Sequence, residues 1–293
     1  MSFVEQFSDI ARADEPLAPY TWLGLGGVAQ YFAEPRTLDE LASVIKYCNE
    51  NDIELRMIGS GSNILIHDDG ISGVVVSLAQ GPFDQIDIEG THVSCGAGAL
   101  LSRLISRTVA AGLSGLEVLA GIPGTVGGAL AGNSGTRSGE ISQYLKQVTL
   151  INHDGQILEM KAAELGFDYR SSQLKNFVVV EAQFDLTADD TAEITKRLRK
   201  TWILKKASQP LSEQSAGCIF KNPRGYNAGQ LIDKAGLKGT KVGDCEVSER
   251  HANFIVTYEN ATSSDMLKLI DLVQSKVRSV HGVDLELEIK IWN

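Results

Sequence analysis

Residues 121–128 read Gly121-Ile122-Pro123-Gly124-Thr125-Val126-Gly127-Gly128. Glycines, a proline and a threonine at a helix start let a ligand come close to the backbone, because no side chains stand in the way. A plain turn needs fewer glycines, and close helix packing is the competing explanation. Glycines also fall at 112, 115, 132, 135 and 139, a density far above the 29 in 293 of the whole chain. Asn133 and Gly135 extend the same small-residue surface.

Working outward, residues 98–112 carry leucine and isoleucine at 100, 101, 104 and 105, with Val109 one turn on, and read as a helix ended by Gly112. Residues 83–95 read as short strands, His153-Asp154-Gly155 as a hairpin turn, and residues 178–186 as a further strand. Residues 79–190 are thus expected to form one α+β unit. Before them, Thr37 and Glu40 make a capping box for a helix over 37–51, with Leu41, Ile45 and Cys48 on one face. Strands at 54–58, 64–66 and 73–77 complete a β-α-β-β opening, and residues 1–78 are read as a first small α+β unit. A third, 191–293, has helices over 191–206, 228–235 and 264–281, the last with Ile270, Val273, Val277 and Val280 inward. Its strands are expected at 253–257 and 285–292.

Composition narrows the function. With 43% hydrophobic and 22% charged residues the chain can bury a sizeable core, and 293 residues favour two or three packed parts. A net charge of −10 disfavours a broad nucleic-acid surface, which needs a basic stripe. Any anionic ligand must then meet local positive potential, from helix N-termini, backbone N–H groups or single Arg and Lys residues. Residues 1–15 are acidic and lack the basic, then apolar start of a secretory signal, and no apolar run has membrane-spanning length. The expectation is a cytoplasmic protein without a membrane or nucleic-acid partner. Cys48, Cys95, Cys218 and Cys245 are too scattered for a zinc site or disulfide framework, so no metal is expected.

A second glycine loop, Gly59-Ser60-Gly61-Ser62-Asn63, lies between two expected strands, where N–H groups and hydroxyls suit a pyrophosphate. It lacks the third glycine of the dinucleotide fingerprint, because position 64 is Ile, and no long helix follows. Alone it reads more readily as an ordinary glycine turn.

Taken together, the motifs are specific. Residues 21–27 (TWLGLGG), 59–63, 121–128, Tyr169-Arg170-Ser171-Ser172, 215–223 (SAGCIFKNP), 235–239 (AGLKG), 247–254 (VSERHANF) and 285–289 (LELEI) stand in an order that chance would not supply. From Tyr20 to Trp292 the chain resembles the UDP-N-acetylenolpyruvoylglucosamine reductase family. The resemblance implies a two-part FAD-binding domain of vanillyl-alcohol-oxidase-like fold (1–78 and 79–190), then a C-terminal α+β substrate-binding domain (191–293). It implies non-covalent FAD, NADPH as hydride donor, and UDP-N-acetylglucosamine enolpyruvate as the substrate reduced to UDP-N-acetylmuramate for peptidoglycan. The chain is short enough to belong to the subgroup without an extra tyrosine-bearing loop, and a monomer is expected.

The resemblance also distributes roles. Gly59, Ser60, Gly61, Ser62, Asn63, Gly121, Ile122, Pro123, Gly124, Thr125, Gly127, Gly128, Asn133 and Gly135 are expected to line the cofactor. Arg170 takes the place of the family's arginine that grips the substrate carboxylate as charge builds there. Glu288 takes that of the glutamate in the C-terminal strand, with Glu286 as the alternative if the register differs by two. Cys218 stands where most members have the serine proton donor. A thiol is a stronger acid than an alcohol, so the role survives chemically, with larger sulfur and a liability to alkylation. Lys221 and Asn222 are expected to hold the ligand's diphosphate or nicotinamide end, with Lys290 a weaker contact where the family more often has arginine. His251 is assigned no chemistry. The competing readings are another FAD oxidoreductase on this scaffold, and a flavin or UDP-sugar binding protein disabled by Cys218.

Overall fold

The computed structural model describes residues 2–293. The described residues divide into two compact units: one holds residues 2–13, Tyr31–Ser60 and Ser72–Leu204, the other Asp14–Gln30, Gly61–Ile71 and Lys205–Asn293.

The chain opens with a short helix α1 (Phe3–Gln6), then β1 (Ala11–Pro16), β2 (Val28–Ala33), α2 (Leu38–Glu50), β3 (Leu55–Ile58), β4 (Ile64–Ile66) and β5 (Ile71–Ser77). The capping box expected of α2 is present: Thr37 Oγ1 accepts from Glu40 N–H at 3.2 Å, and Glu40 Oε2 accepts from Thr37 N–H at 3.2 Å. That satisfies N–H groups the first turn cannot pair internally. The helix buries Leu41, Val44, Ile45 and Cys48. The strand order is β1-β2-β5-β3, with β3 and β5 parallel, Leu55 beside Val74 through Ile58 beside Ser77.

β1 and β2 were not expected. Their exposure follows no clean alternation, and β1 carries Asp14, Glu15 and Pro16, residues depleted in strands. β4 was expected in the opening subdomain. It pairs instead, in parallel, with the C-terminal strand.

The first unit continues with β6 (Ile86–Glu89), β7 (His92–Gly96), α3 (Leu101–Ala110), α4 (Val126–Ala131), β8 (Leu145–Ile151), β9 (Ile157–Lys161) and β10 (Val178–Asp185). These strands form an antiparallel sheet of order β9-β8-β10-β7-β6. α3 buries Leu101, Leu104, Ile105 and Val109, and Gly112 follows at φ +69°, a left-handed position that favours glycine. One buried cluster runs from Phe3 through Ile194 and joins both sheets with α2, α3 and α4.

Helix α5 (Thr191–Ser208) leads toward β11 (Gln214–Cys218), α6 (Ala228–Lys234), β12 (Lys241–Val242), β13 (Cys245–Val247), β14 (Phe254–Thr257), α7 (Ser263–His281) and β15 (Lys290–Trp292). Strands β11-β14-β13-β12 form the second unit's antiparallel sheet. Its core brings Leu23, Leu25 and Leu65 together with residues of α6, α7 and the sheet. Two expectations are corrected here. Val280 is 49% exposed, because the inward stripe of α7 is Met266, Leu269, Ile270, Val273 and Val277. Residues 285–292 are not one strand: Leu287 makes a single bridge to Phe220, and the regular strand starts only at Lys290. Within the described residues no helix is long and apolar enough to cross a membrane.

Candidate active site

In the first unit a cavity of about 450 Å³ is lined by both glycine loops, at Gly59 and Ser60 and at Thr125, Gly127 and Gly128. Ser60 Oγ is buried and makes no hydrogen bond. A polar atom stranded in this way costs free energy unless something bonds it, so it marks a place where a ligand atom belongs. The loops meet tightly: a Cβ on Gly59 would stand 2.6 Å from Thr125 Oγ1, and one on Gly127 would stand 3.0 Å from Ala97 Cβ. Side chains at these positions would collide with the neighbouring segment that lines the cavity.

At the N-terminus of α4 the first N–H groups are bonded within the protein. Val126 N–H donates to Ala99 O at 2.9 Å, Gly127 N–H to Ala97 O at 2.8 Å, and Gly128 N–H to Thr125 Oγ1 at 3.3 Å. These donors are already engaged by protein, so the glycines supply close approach rather than anion-binding N–H groups. Gly121, Ile122, Pro123 and Gly124 lie outside the cavity lining. Arg103 and Asp84, which composition gave no reason to single out, do line it, and they form a pair with oxygens 2.7 and 2.8 Å from the guanidinium.

Asn133, Gly135 and Arg170 are brought together by a turn. Asp168 and Ser171 exchange backbone hydrogen bonds of 3.0 Å, which leaves Tyr169 and Arg170 at the tip. Arg170 is left-handed at φ +54°, as is Asn133 at φ +41°. Such conformations in non-glycine residues persist only where surrounding contacts impose them, and they concentrate at functional sites. The contacts are specific. Asn133 Nδ2 donates to Asp168 O at 3.1 Å and Glu140 Oε2 at 2.8 Å, and Arg170 Nη2 donates to Gly135 O at 2.9 Å. Ser172 Oγ donates to Ala131 O at 2.9 Å, and the Arg170 guanidinium stands 5.2 Å from the centre of the Tyr169 ring. Asn133 Oδ1 is a second buried acceptor without a partner.

The other expected residues belong to the second unit. Gly61 is required by packing: it sits at φ +63°, and a Cβ would lie 1.9 Å from Tyr20 O. Asn63 ties down the C-terminal segment, its Nδ2 donating to Glu288 O at 3.1 Å and its carbonyl accepting from Lys290 N–H at 3.0 Å. β11 carries Cys218 past an irregularity. Its register with β14 shifts between Ser215 and Cys218, and Gly217 adopts φ +74°. A bulge of this kind re-aims the next side chain.

Past the bulge, residues 219–221 pair with 286–289. Ile219 O accepts from Glu288 N–H at 2.8 Å, and Lys221 N–H donates to Glu286 O at 2.8 Å. At Glu288 the chain changes partner, from the 219–221 segment to Asn63, which explains why no continuous strand spans 285–292. The two glutamates are separated by this arrangement. Glu286 is exposed, with Oε1 2.5 Å from Lys221 Nζ, whereas Glu288 is half-buried with its backbone engaged on both sides. Asn222 Oδ1 accepts from Ala228 N–H at 2.9 Å at the start of α6, and Lys290 is exposed. Asn253, unassigned from sequence, holds the Phe220 peptide through its side chain.

The chain as a whole matches known proteins. Residues 209–292 match the family model described as UDP-N-acetylenolpyruvoylglucosamine reductase, C-terminal domain, and residues 29–161 match that of an FAD binding domain. The chain is 42% identical over 290 residues to the UDP-N-acetylenolpyruvoylglucosamine reductase of Carboxydothermus hydrogenoformans, covering 98% of this chain and 95% of that one. It is 40% identical over 283 residues to reductase 2 of Symbiobacterium thermophilum, covering 96% and 92%. Among solved structures, the UDP-N-acetylenolpyruvylglucosamine reductase of Thermus caldophilus aligns with a TM-score of 0.85 at 39% identity, over 97% of this chain and 98% of that one.

Proposed function

The chain belongs to the UDP-N-acetylenolpyruvoylglucosamine reductase family, and from that premise we propose that it reduces UDP-N-acetylglucosamine enolpyruvate with NADPH, using Cys218 as proton donor. It is an FAD-dependent oxidoreductase of α+β fold. FAD, when bound, would supply the two-electron hydride chemistry between nicotinamide and substrate, and the residues of the glycine-lined cavity would hold it. The residues present fit the cofactor: Ser60 Oγ lacks a partner in a cavity of about 450 Å³ lined by both glycine loops.

The protein's own residues then have three tasks. Arg170 grips the substrate carboxylate and stabilises the negative charge that builds beside it. Cys218 gives its S–H proton to the carbon bearing that carboxylate: the S–H bond breaks, a C–H bond forms, and the thiolate regains a proton from solvent. Glu288 is assigned to share stabilisation of the enolate-like intermediate. Lys221, Asn222 and Lys290 are assigned to the ligand's polar end, with Lys221 exchanging its Glu286 partner for a phosphate.

The observation that carries the reading is the hydrogen-bonded pairing of 219–221 with 286–289, which sets Ile219, the residue after Cys218, opposite Glu288. For function we keep residues 1–78 and 79–190 as the two flavin-binding parts and 191–293 as the substrate-binding part. This is supported by the change of sheet between β5 and β6. A cytoplasmic monomer completes the proposal.

The test is substitution at the donor. Cys218→Ala is expected to slow substrate reduction by about 10²- to 10⁴-fold, the usual loss for a general acid, while Cys218→Ser, the residue most of the family carries, retains activity. Full turnover by the alanine variant would overturn the donor assignment.

A further inference from the structure

Asn253 is 3% exposed and stands at the head of β14. Its carboxamide makes both hydrogen bonds of a peptide group: Oδ1 accepts from Phe220 N–H at 3.0 Å, and Nδ2 donates to Phe220 O at 2.8 Å. Its own carbonyl accepts from Ile219 N–H at 2.8 Å. On the opposite side the Ile219 carbonyl takes Glu288 N–H, and Lys221 N–H goes to Glu286 O. Each backbone polar group from Ile219 N–H to Lys221 N–H is therefore held.

The reason a side chain is needed lies one step upstream. The register shift between Ser215 and Cys218 and the left-handed Gly217 end the regular ladder with β14 just where the thiol is presented. Phe220 is buried, and its peptide would be left without partners, a situation interiors avoid. An asparagine amide has the donor and acceptor of a peptide at fixed spacing and stands in for the lost strand partner.

The amide is itself held. Asn253 N–H donates to His251 Nδ1 at 3.3 Å, which requires that nitrogen to carry no proton. Burial lowers the His251 pKa and the charge of Lys238 adds to it, so the ring is neutral near pH 7. The His251 ring packs edge-on against Phe254, with centroids 4.7 Å apart.

We infer that Asn253 is a positioning residue for the reaction: its carboxamide fixes the backbone that carries Cys218, and so the direction from which the proton reaches the substrate. The inference rests on the reading of Cys218 as donor. Asn253 touches no reacting atom; it acts through residues 219–220.

The experiment compares the FAD-loaded parent with Asn253→Asp, which keeps the acceptor and loses the donor, and Asn253→Ser, which shortens the amide and is the second variant should the buried carboxylate prevent folding. Each is reduced anaerobically with NADPH, then mixed with UDP-N-acetylglucosamine enolpyruvate in H₂O and in D₂O, and Cys218 alkylation by iodoacetamide is followed separately by mass spectrometry. Mispositioning by a fraction of an ångström to 1 Å is expected to slow reoxidation about 10- to 100-fold, with a larger D₂O effect as proton transfer becomes limiting. Looser packing of the segment is expected to raise Cys218 alkylation about 5-fold. Reoxidation within about 3-fold of the parent with an unchanged D₂O effect would overturn the inference, as would equal slowing of both half-reactions with unchanged alkylation. A parent that is reduced by NADPH but not reoxidised by substrate would instead strike the reductase reading on which the inference rests, and the two failures are distinct because only the second appears in the unsubstituted protein.

Discussion

The four cysteines present very different thiols. Burial pushes Cys48 up to about 11 and Cys95 and Cys245 up to about 12, so at pH 8 only about one molecule in 10³ or fewer carries a thiolate at any of them. Cys218 is half-buried at a bulge. Iodoacetamide at pH 8 is therefore expected to label Cys218 first, more slowly with substrate present. Equal labelling of all four in folded protein would contradict that order. Arg170 allows a separation of backbone from chemistry. Its φ of +54° strains any residue with a Cβ, and Arg170→Gly and Arg170→Ala lose the same guanidinium. The glycine variant is expected to be more stable than the alanine one by about 1–2 kcal/mol in denaturant titrations, while both lose substrate reduction alike. Equal stability would mean that φ relaxes freely in the alanine variant, and the imposed turn would have to be given up.

At the scale of elements, the junction of β3 with α4 has a steric test. A methyl on Gly59 would meet Thr125 Oγ1 at 2.6 Å and Cγ2 at 3.4 Å. Gly59→Ala is expected to purify with less bound flavin, and Thr125→Ala in the same chain to restore part of it. The second change also removes the α4 cap, at a cost of about 1 kcal/mol. Failure of the double variant to recover any flavin would show that Gly59 matters for a reason other than this contact. Much at this scale was legible beforehand. The Thr37–Glu40 capping box, the helix ended by Gly112 and the hairpin at Asp154-Gly155 all rest on interactions between residues a few positions apart. β1 and β2 were missed because Asp14, Glu15 and Pro16 speak against a strand until neighbours supply its hydrogen bonds. The break of 285–292 into a bridge and a short strand was hidden for a related reason. The alternation in Leu285-Glu286-Leu287-Glu288 reads as one ladder, and only the partners at Ile219 and Asn63 interrupt it. The role of Asn253 depends equally on partners elsewhere, since its amide bonds lie 33 residues away. In the sequence its signal is its place in the 247–254 motif.

Over the whole molecule, each unit has its own buried cluster, and the chain passes from one to the other several times. Asn63 reaches Glu288 across 225 residues, and β4 pairs with β15, connections on which local patterning carries no information. The family resemblance therefore told more about the site than any single motif did. It gives Arg170, Cys218 and Glu288 as the proposed catalytic residues; of the two glutamates, Glu286 is exposed and paired with Lys221 while Glu288 is half-buried. The net charge of −10 makes the arginine and lysine positions matter individually, since an anionic substrate finds no general attraction to this chain. The most direct measurement is anaerobic stopped-flow at the flavin absorbance band, with the purified protein reduced by NADPH and then mixed with UDP-N-acetylglucosamine enolpyruvate. Prompt recovery of the oxidised band with one UDP-N-acetylmuramate formed per flavin is the predicted result. A band that stays bleached without product, or a protein that purifies without flavin, would contradict it.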